Sequence, residues 1–157
     1  MKKKRMRIFI ILSLILSLGS TAPPVIVQAA DQNMSRSNKA YQRLKRINHT
    51  LSQQLYAKQT DSKKDTDFEW TKFIKNIKYL KNNQLEVYVN DNFKKESEKN
   101  RADIIEKVQL FSLRIVDNYR DSNPDDYING LAAIVFYNGS CIGHSRFLSN
   151  KNFIWNK

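Results

Sequence analysis

One cysteine and two histidines in 157 residues leave little room for several common chemistries. Cys141 alone cannot close an internal disulfide, so the folded unit must be held by its core. His49, Cys141 and His144 lack the short paired spacing of a zinc site, and HExxH does not occur. GxGxxG, GxxxxGK[ST] and GxSxG are also missing, so neither a phosphate-cradling loop nor a nucleophile elbow is signalled. Asp121, Asn123 and Asp125 alternate as at the start of a calcium loop. However, Pro124 lies inside that pattern, Asp126 replaces the turn glycine and Ala132 stands where a bidentate glutamate belongs. That segment therefore reads as a helix stop followed by a turn. No metal and no cofactor is expected.

Acidic residues are missing from two stretches. The first is the amino terminus, where MKKKRMR precedes the apolar run IFIILSLILSL at residues 8–18. A cationic start, an apolar core and then prolines and small residues make residues 1–30 an expected signal peptide, cut after Ala29 or Ala30. The alternative is an uncleaved single membrane anchor over 8–30, about the length that spans a bilayer. The expected location is secreted or cell-envelope associated. Five of the 27 basic residues and none of the 15 acidic ones lie in the signal. The mature chain would then hold 22 basic against 15 acidic residues, about +7, and its length fits one small domain.

The second acid-free stretch runs from 32 to 60 and holds Arg36, Lys39, Arg43, Lys45, Arg46 and Lys58. Tyr41, Leu44, Ile47, Leu51 and Leu55 recur in it at steps of three and four, which predicts a basic amphipathic helical segment over 31–60. Arg36, Lys39, Arg43 and Arg46 are expected on its other side, as candidate residues for binding an anionic cell-surface polymer or lipid headgroups. The plain alternative is a surface helix whose apolar stripe docks on the domain. Residues 61–67 read as a polar linker and 68–157 as a small α+β domain.

Within that domain, Leu85, Val87 and Val89 alternate with polar residues, and Asn82-Asn83 precedes them. This predicts a hairpin of about 73–80 with 84–90. Ser97 is a suitable N-cap for a helix carrying Ile104, Ile105, Val108, Phe111, Ile115 and Tyr119. Asn138-Gly139 between apolar runs predicts a second hairpin. Phe153, Ile154 and Trp155 either extend the sheet or plug its end. The fold class is thus α+β: an N-terminal amphipathic helix, then a ββαββ unit with one helix packed on a face of an antiparallel sheet.

A two-residue turn at Asn138-Gly139 pairs Phe136 with Cys141, Ile134 with Gly143 and Ala133 with His144. That register puts Cys141 and His144 on opposite faces, with Cys141 among Phe136, Ile134 and Ala132 on the side expected to face the helix. The two do not form a nucleophile–base pair unless a bulge at Gly143 realigns them.

The expected function is a small exported, non-catalytic binding module whose basic helix favours anionic surfaces, with a protein partner also open to it. One alternative is a secreted enzyme with a site near His144 and Arg146, and another is an inhibitor or immunity-type protein. Nucleic acid is not an expected partner for an exported chain. An exposed sheet face that is flat and apolar would favour a partner over a substrate.

Overall fold

The computed structural model describes residues 25–61, 65–119 and 122–156, and the side chains within these from Arg36 onward. The apolar run 8–18, the linker residues 62–64 and Asp121 of the calcium-like pattern lie outside the described residues. The element order is α1 (Val25–Asp61), a 3₁₀ segment (Thr66–Phe73), β1 (Ile74–Tyr79), β2 (Gln84–Val89), α2 (Asp91–Lys95), α3 (Glu98–Asp117), α4 (Pro124–Asn129), β3 (Ala132–Tyr137), β4 (Ser140–Arg146) and β5 (Ser149–Trp155). The five strands form one sheet in sequence order.

The α+β class and the two predicted hairpins are present, and the terminal aromatic segment is a fifth strand. The sheet is mixed rather than wholly antiparallel, because β2 and β3 pair in parallel from Gln84↔Ala132 to Val89↔Tyr137. Helix length accounts for this. The twenty residues of α3 carry the chain back about 30 Å, past the start of β2, so β3 sets out beside Gln84 and runs the same way. Ser97 caps α3 through its side chain, which accepts from Asn100 N, as its position implied. The DSNPDD segment does more than stop that helix. Asn123 and Asp126 form a capping box and Pro124 starts α4.

One face of the sheet is covered. Leu85, Val87, Val89, Ala133 and Val135 pack with Ile105, Val108, Leu113 and Val116 of α3 and with Ile47, Leu51 and Leu55 of α1. The stripe of α1 therefore docks as part of the same core that holds residues 68–157. Its member Tyr41 does not join that core and is 63% exposed. Two amides fix α1 along the edge strand β1. Asn48 donates to Tyr79 O (2.9 Å) and accepts from Tyr79 N (2.7 Å), while Gln59 donates to Ile74 O (2.7 Å). The buried Gln109 of α3 likewise donates to the carbonyls of Leu131 and Asn150, tying the helix to the start of β3 and to β5.

The second hairpin turns at Asn138 and Gly139, both at positive φ, and pairs Tyr137 with Ser140 and Phe136 with Cys141, as the Asn-Gly signal implied. Beyond that point the register shifts by a bulge, so that Val135 faces Gly143 and Ile134 faces His144. Gly143 lies against Trp155, where a Cβ would come 2.3 Å from the indole ring. The expectation that Ile134, Phe136 and Cys141 line the helix-facing core is corrected: Ala133 and Val135 do so, and Cys141 is exposed.

Candidate anion-binding surface

Between Arg36 and Thr60 the sequence has no glycine or proline and is rich in Lys, Arg, Gln, Leu and Ala, so helix is its ordinary state. Arg36, Lys39, Arg43 and Arg46 recur at steps of three and four and form one row, and all four are exposed. The row does not lie opposite the docked stripe as expected. Arg43 precedes Ile47 by one turn and Arg46 adjoins it in sequence, so the cations flank the stripe and border the domain.

The direction of α1 decides where this row ends up. Asn48 sits at Tyr79 and Gln59 at Ile74, so α1 runs antiparallel to β1. Residues before Asn48 therefore extend past the end of the sheet where β1 finishes, and the step from Arg46 to Arg36 covers about 15 Å. At that end Tyr119, just past α3, bonds through its hydroxyl to Thr50 Oγ1 at 2.8 Å. An open groove of about 590 Å³ results, lined by Asn38, Lys39, Gln42, Arg43, Arg46 and Tyr119. A depression of about 410 Å³ adjoins it and adds Lys45, His49 and Thr50. Among the described residues, no carboxylate lines either. Guanidinium forks and an ammonium beside an aromatic ring suit phosphate or carboxylate oxygens.

The depression around His144 and Arg146 is of similar size, about 590 Å³. His144 Nδ1 lies 2.9 Å from Ser145 O. Ser145 Oγ accepts from Ala133 N at 2.7 Å and donates to Ala133 O at 3.2 Å, so this hydroxyl is committed to the backbone. Among the described residues, no carboxylate lines the depression to orient the imidazole. Cys141 lines a different one, of about 370 Å³, with Lys94, Arg101, Tyr137 and Asn156. Its Sγ is 3.6 Å from Gly143 O and 3.8 Å from Asn156 Nδ2. The bulge that realigns this strand thus does not join thiol and imidazole in one site.

The sheet face away from the helices carries the stacked rings of Tyr88 and Phe136, centroids 5.4 Å apart, with Ile134 beside them. A hydrogen bond to Glu86 raises the Tyr88 phenol above its ordinary value, with burial and the charge of Glu86 acting the same way and Lys78 opposing. Tyr137 is raised in the same direction, first by a hydrogen bond to Asp91. Tyr137 lies on the other, helix-facing side with Val135, and the open face carries the Lys78–Glu86 ion pair beside its aromatic rings, so it mixes apolar and charged groups.

Among the described residues no cluster of three or more His, Cys, Asp or Glu could hold a metal ion, and no helix is long and apolar enough to cross a membrane. Sequence reasoning found the four cations but took Tyr119 only as one more apolar position of α3. Its place in the groove depends on α1 and α3 packing side by side, which spacing within α3 does not reveal. Comparison with protein-family models, with curated proteins and with solved structures finds no match to this chain.

Proposed function

We propose that the protein is a small exported binding module, without catalysis, that adheres to an anionic surface through α1. The observation that carries this is the single exposed row Arg36, Lys39, Arg43 and Arg46, free of intervening acids and bordering the Tyr119 groove. The surface is an acidic polymer or lipid headgroups at the cell envelope, consistent with the cationic and apolar amino terminus of the sequence. The enzyme alternative near His144 and Arg146 has less support, since Ser145 is bound to backbone and, among the described residues, no carboxylate lines the depression with the histidine.

The test is replacement of all four cations by glutamine. Exposed charges of this kind affect stability by about 0.5 kcal/mol or less each, so the variant should fold. Binding to phosphatidylglycerol vesicles and to soluble polyphosphate should fall at least tenfold, and wild-type binding should weaken with salt as the Debye length shrinks to about 10 Å near 0.1 M. Equal binding by wild type and variant would refute the reading.

A further inference from the structure

The turn between β4 and β5 consists of Phe147 and Leu148, because Arg146 pairs with Ser149. Phe147 is 92% exposed and Leu148 is 87% exposed. Leu148 also has φ +66°, a left-handed conformation that a tight turn ordinarily assigns to glycine or asparagine. Glycine or asparagine would suit the backbone at 148 better, as they occupy the positive-φ positions of the Asn138-Gly139 turn in this same chain. Two large apolar residues at the most exposed point of a hairpin therefore call for a reason outside the fold. Ile128 of α4, 72% exposed, adds to them from the neighbouring element, which Asn150 holds through its bond to Gly130 O.

Strand register locates this tip. Tyr79 pairs with Leu85, Gln84 with Ala132, Ile134 with His144 and Arg146 with Ser149. The end of β1, the starts of β2 and β3, the end of β4 and the start of β5 thus share one end of the sheet. It is the end past which α1 carries Arg46, Arg43, Lys39 and Arg36. Arg146 stands immediately before the apolar pair and is exposed. One end of the molecule therefore presents a row of cations and an apolar wedge together. A soluble acidic polymer would use the cations alone, whereas a bilayer uses both: anionic headgroups meet the charges and the acyl boundary accepts the aromatic and leucine side chains.

We infer that the Phe147-Leu148 turn is a membrane-inserting tip and that the surface recognised is an anionic lipid bilayer. This rests on the proposed adhesion through α1 and narrows it to lipid. The tip inserts shallowly at the headgroup boundary while the row on α1 lies across the phosphates. The opposite end, with the Asn138-Gly139 turn, faces away.

The experiment measures binding of the full chain to phosphatidylglycerol–phosphatidylcholine vesicles and, separately, to soluble polyphosphate, for wild type and for the double variant Phe147→Ser, Leu148→Gly. Glycine suits the left-handed position, so the variant keeps its turn, and its denaturation midpoint verifies the fold. Vesicle affinity is expected to fall about tenfold or more, the consequence of withdrawing two large side chains from an apolar boundary, while polyphosphate affinity stays within twofold. Phe147→Trp provides a second readout. Its indole should be quenched by lipids brominated in the acyl chains, over the background that Trp70 and Trp155 give in wild type. Vesicle affinity unchanged in the double variant, or no added quenching in Phe147→Trp, overturns the tip. Wild-type binding to polyphosphate but not to vesicles overturns it and leaves the cationic reading standing. Binding to neither removes both. A concentration-dependent dimer of the free protein that the double variant abolishes assigns the turn to self-association instead and equally overturns the proposal.

Discussion

Cys141 shows how far a local signal reaches. Asn138-Gly139 correctly implied the turn and the pairing of Phe136 with Cys141, but which face of β3 meets the helices was read the wrong way round. The side shared by Cys141, Phe136, Ile134 and Ala132 was read as the helix-facing one because its members are apolar, yet Ala133 and Val135 opposite are apolar too. In the folded chain Ala133 and Val135 belong to the core with α1 and α3, while Phe136 stacks on Tyr88 on the open face with Ile134 opposite Glu86. Periodicity of two identifies a pair of faces without saying which is covered. A bulge at Gly143 was left open by the sequence and not decided, since the contact beside it, Gly143 under Trp155, joins residues on different strands. The exposed thiol leads to a direct test. Native protein should label with a thiol reagent at a rate close to that of unfolded protein, and Cys141→Ser should change unfolding free energy by no more than about 0.5 kcal/mol. Strong native protection would restore the buried assignment.

At the scale of elements, α1 has two jobs that the sequence displays together and does not rank. Its apolar spacing and its lack of acids were both legible between 32 and 60, and either could have been the reason for the segment. Burial ranks them along the helix. From Ile47 to Leu55 the stripe is core, and from Arg36 to Arg46 the exposed row is cationic. What could not be read was the pair of amide clamps, because Asn48 and Gln59 look like ordinary polar positions until β1 lies beside them. Removing α1 therefore exposes the apolar side chains beneath it and takes from the edge strand the bonds of Asn48 and Gln59. A chain beginning at Asp61 is expected not to fold, as judged by the loss of a cooperative denaturation transition. Leu51→Ala in the full chain should cost about 2–5 kcal/mol in urea unfolding, the range for a fully buried leucine. A cooperative transition in the shortened chain, or a Leu51→Ala cost below about 1 kcal/mol, would make α1 an appendage.

For the whole molecule, the class of fold was visible in the alternation of strand and helix patterns, while the parallel pairing of β2 with β3 was not. Leu85, Val87 and Val89 alternate identically whichever neighbour they take, so their sequence does not choose between partners. The choice is made by α3, long enough to bring the chain back to the start of β2, and it places β2 and β3 in the interior of the sheet with β1 and β5 at its margins. Stability should be distributed accordingly. Amides of β2, β3, the middle of α3 and residues 47–55 of α1 share one core, so they should exchange hydrogen only through global opening, with a common free energy that falls together as denaturant is added. Residues 36–43, α4 and the Phe147-Leu148 turn have exposed side chains and few buried partners, so they should exchange through local openings, earlier and with little denaturant dependence. Native-state hydrogen exchange resolved along the chain checks this division. If residues 47–55 opened as a separate unit before β2 and β3, the docking of α1 would be an independent equilibrium, and the cations could then move relative to the apolar tip. If they open with the strands, the row on α1 and the Phe147-Leu148 turn are held on one rigid frame, which is what simultaneous contact with a flat surface requires.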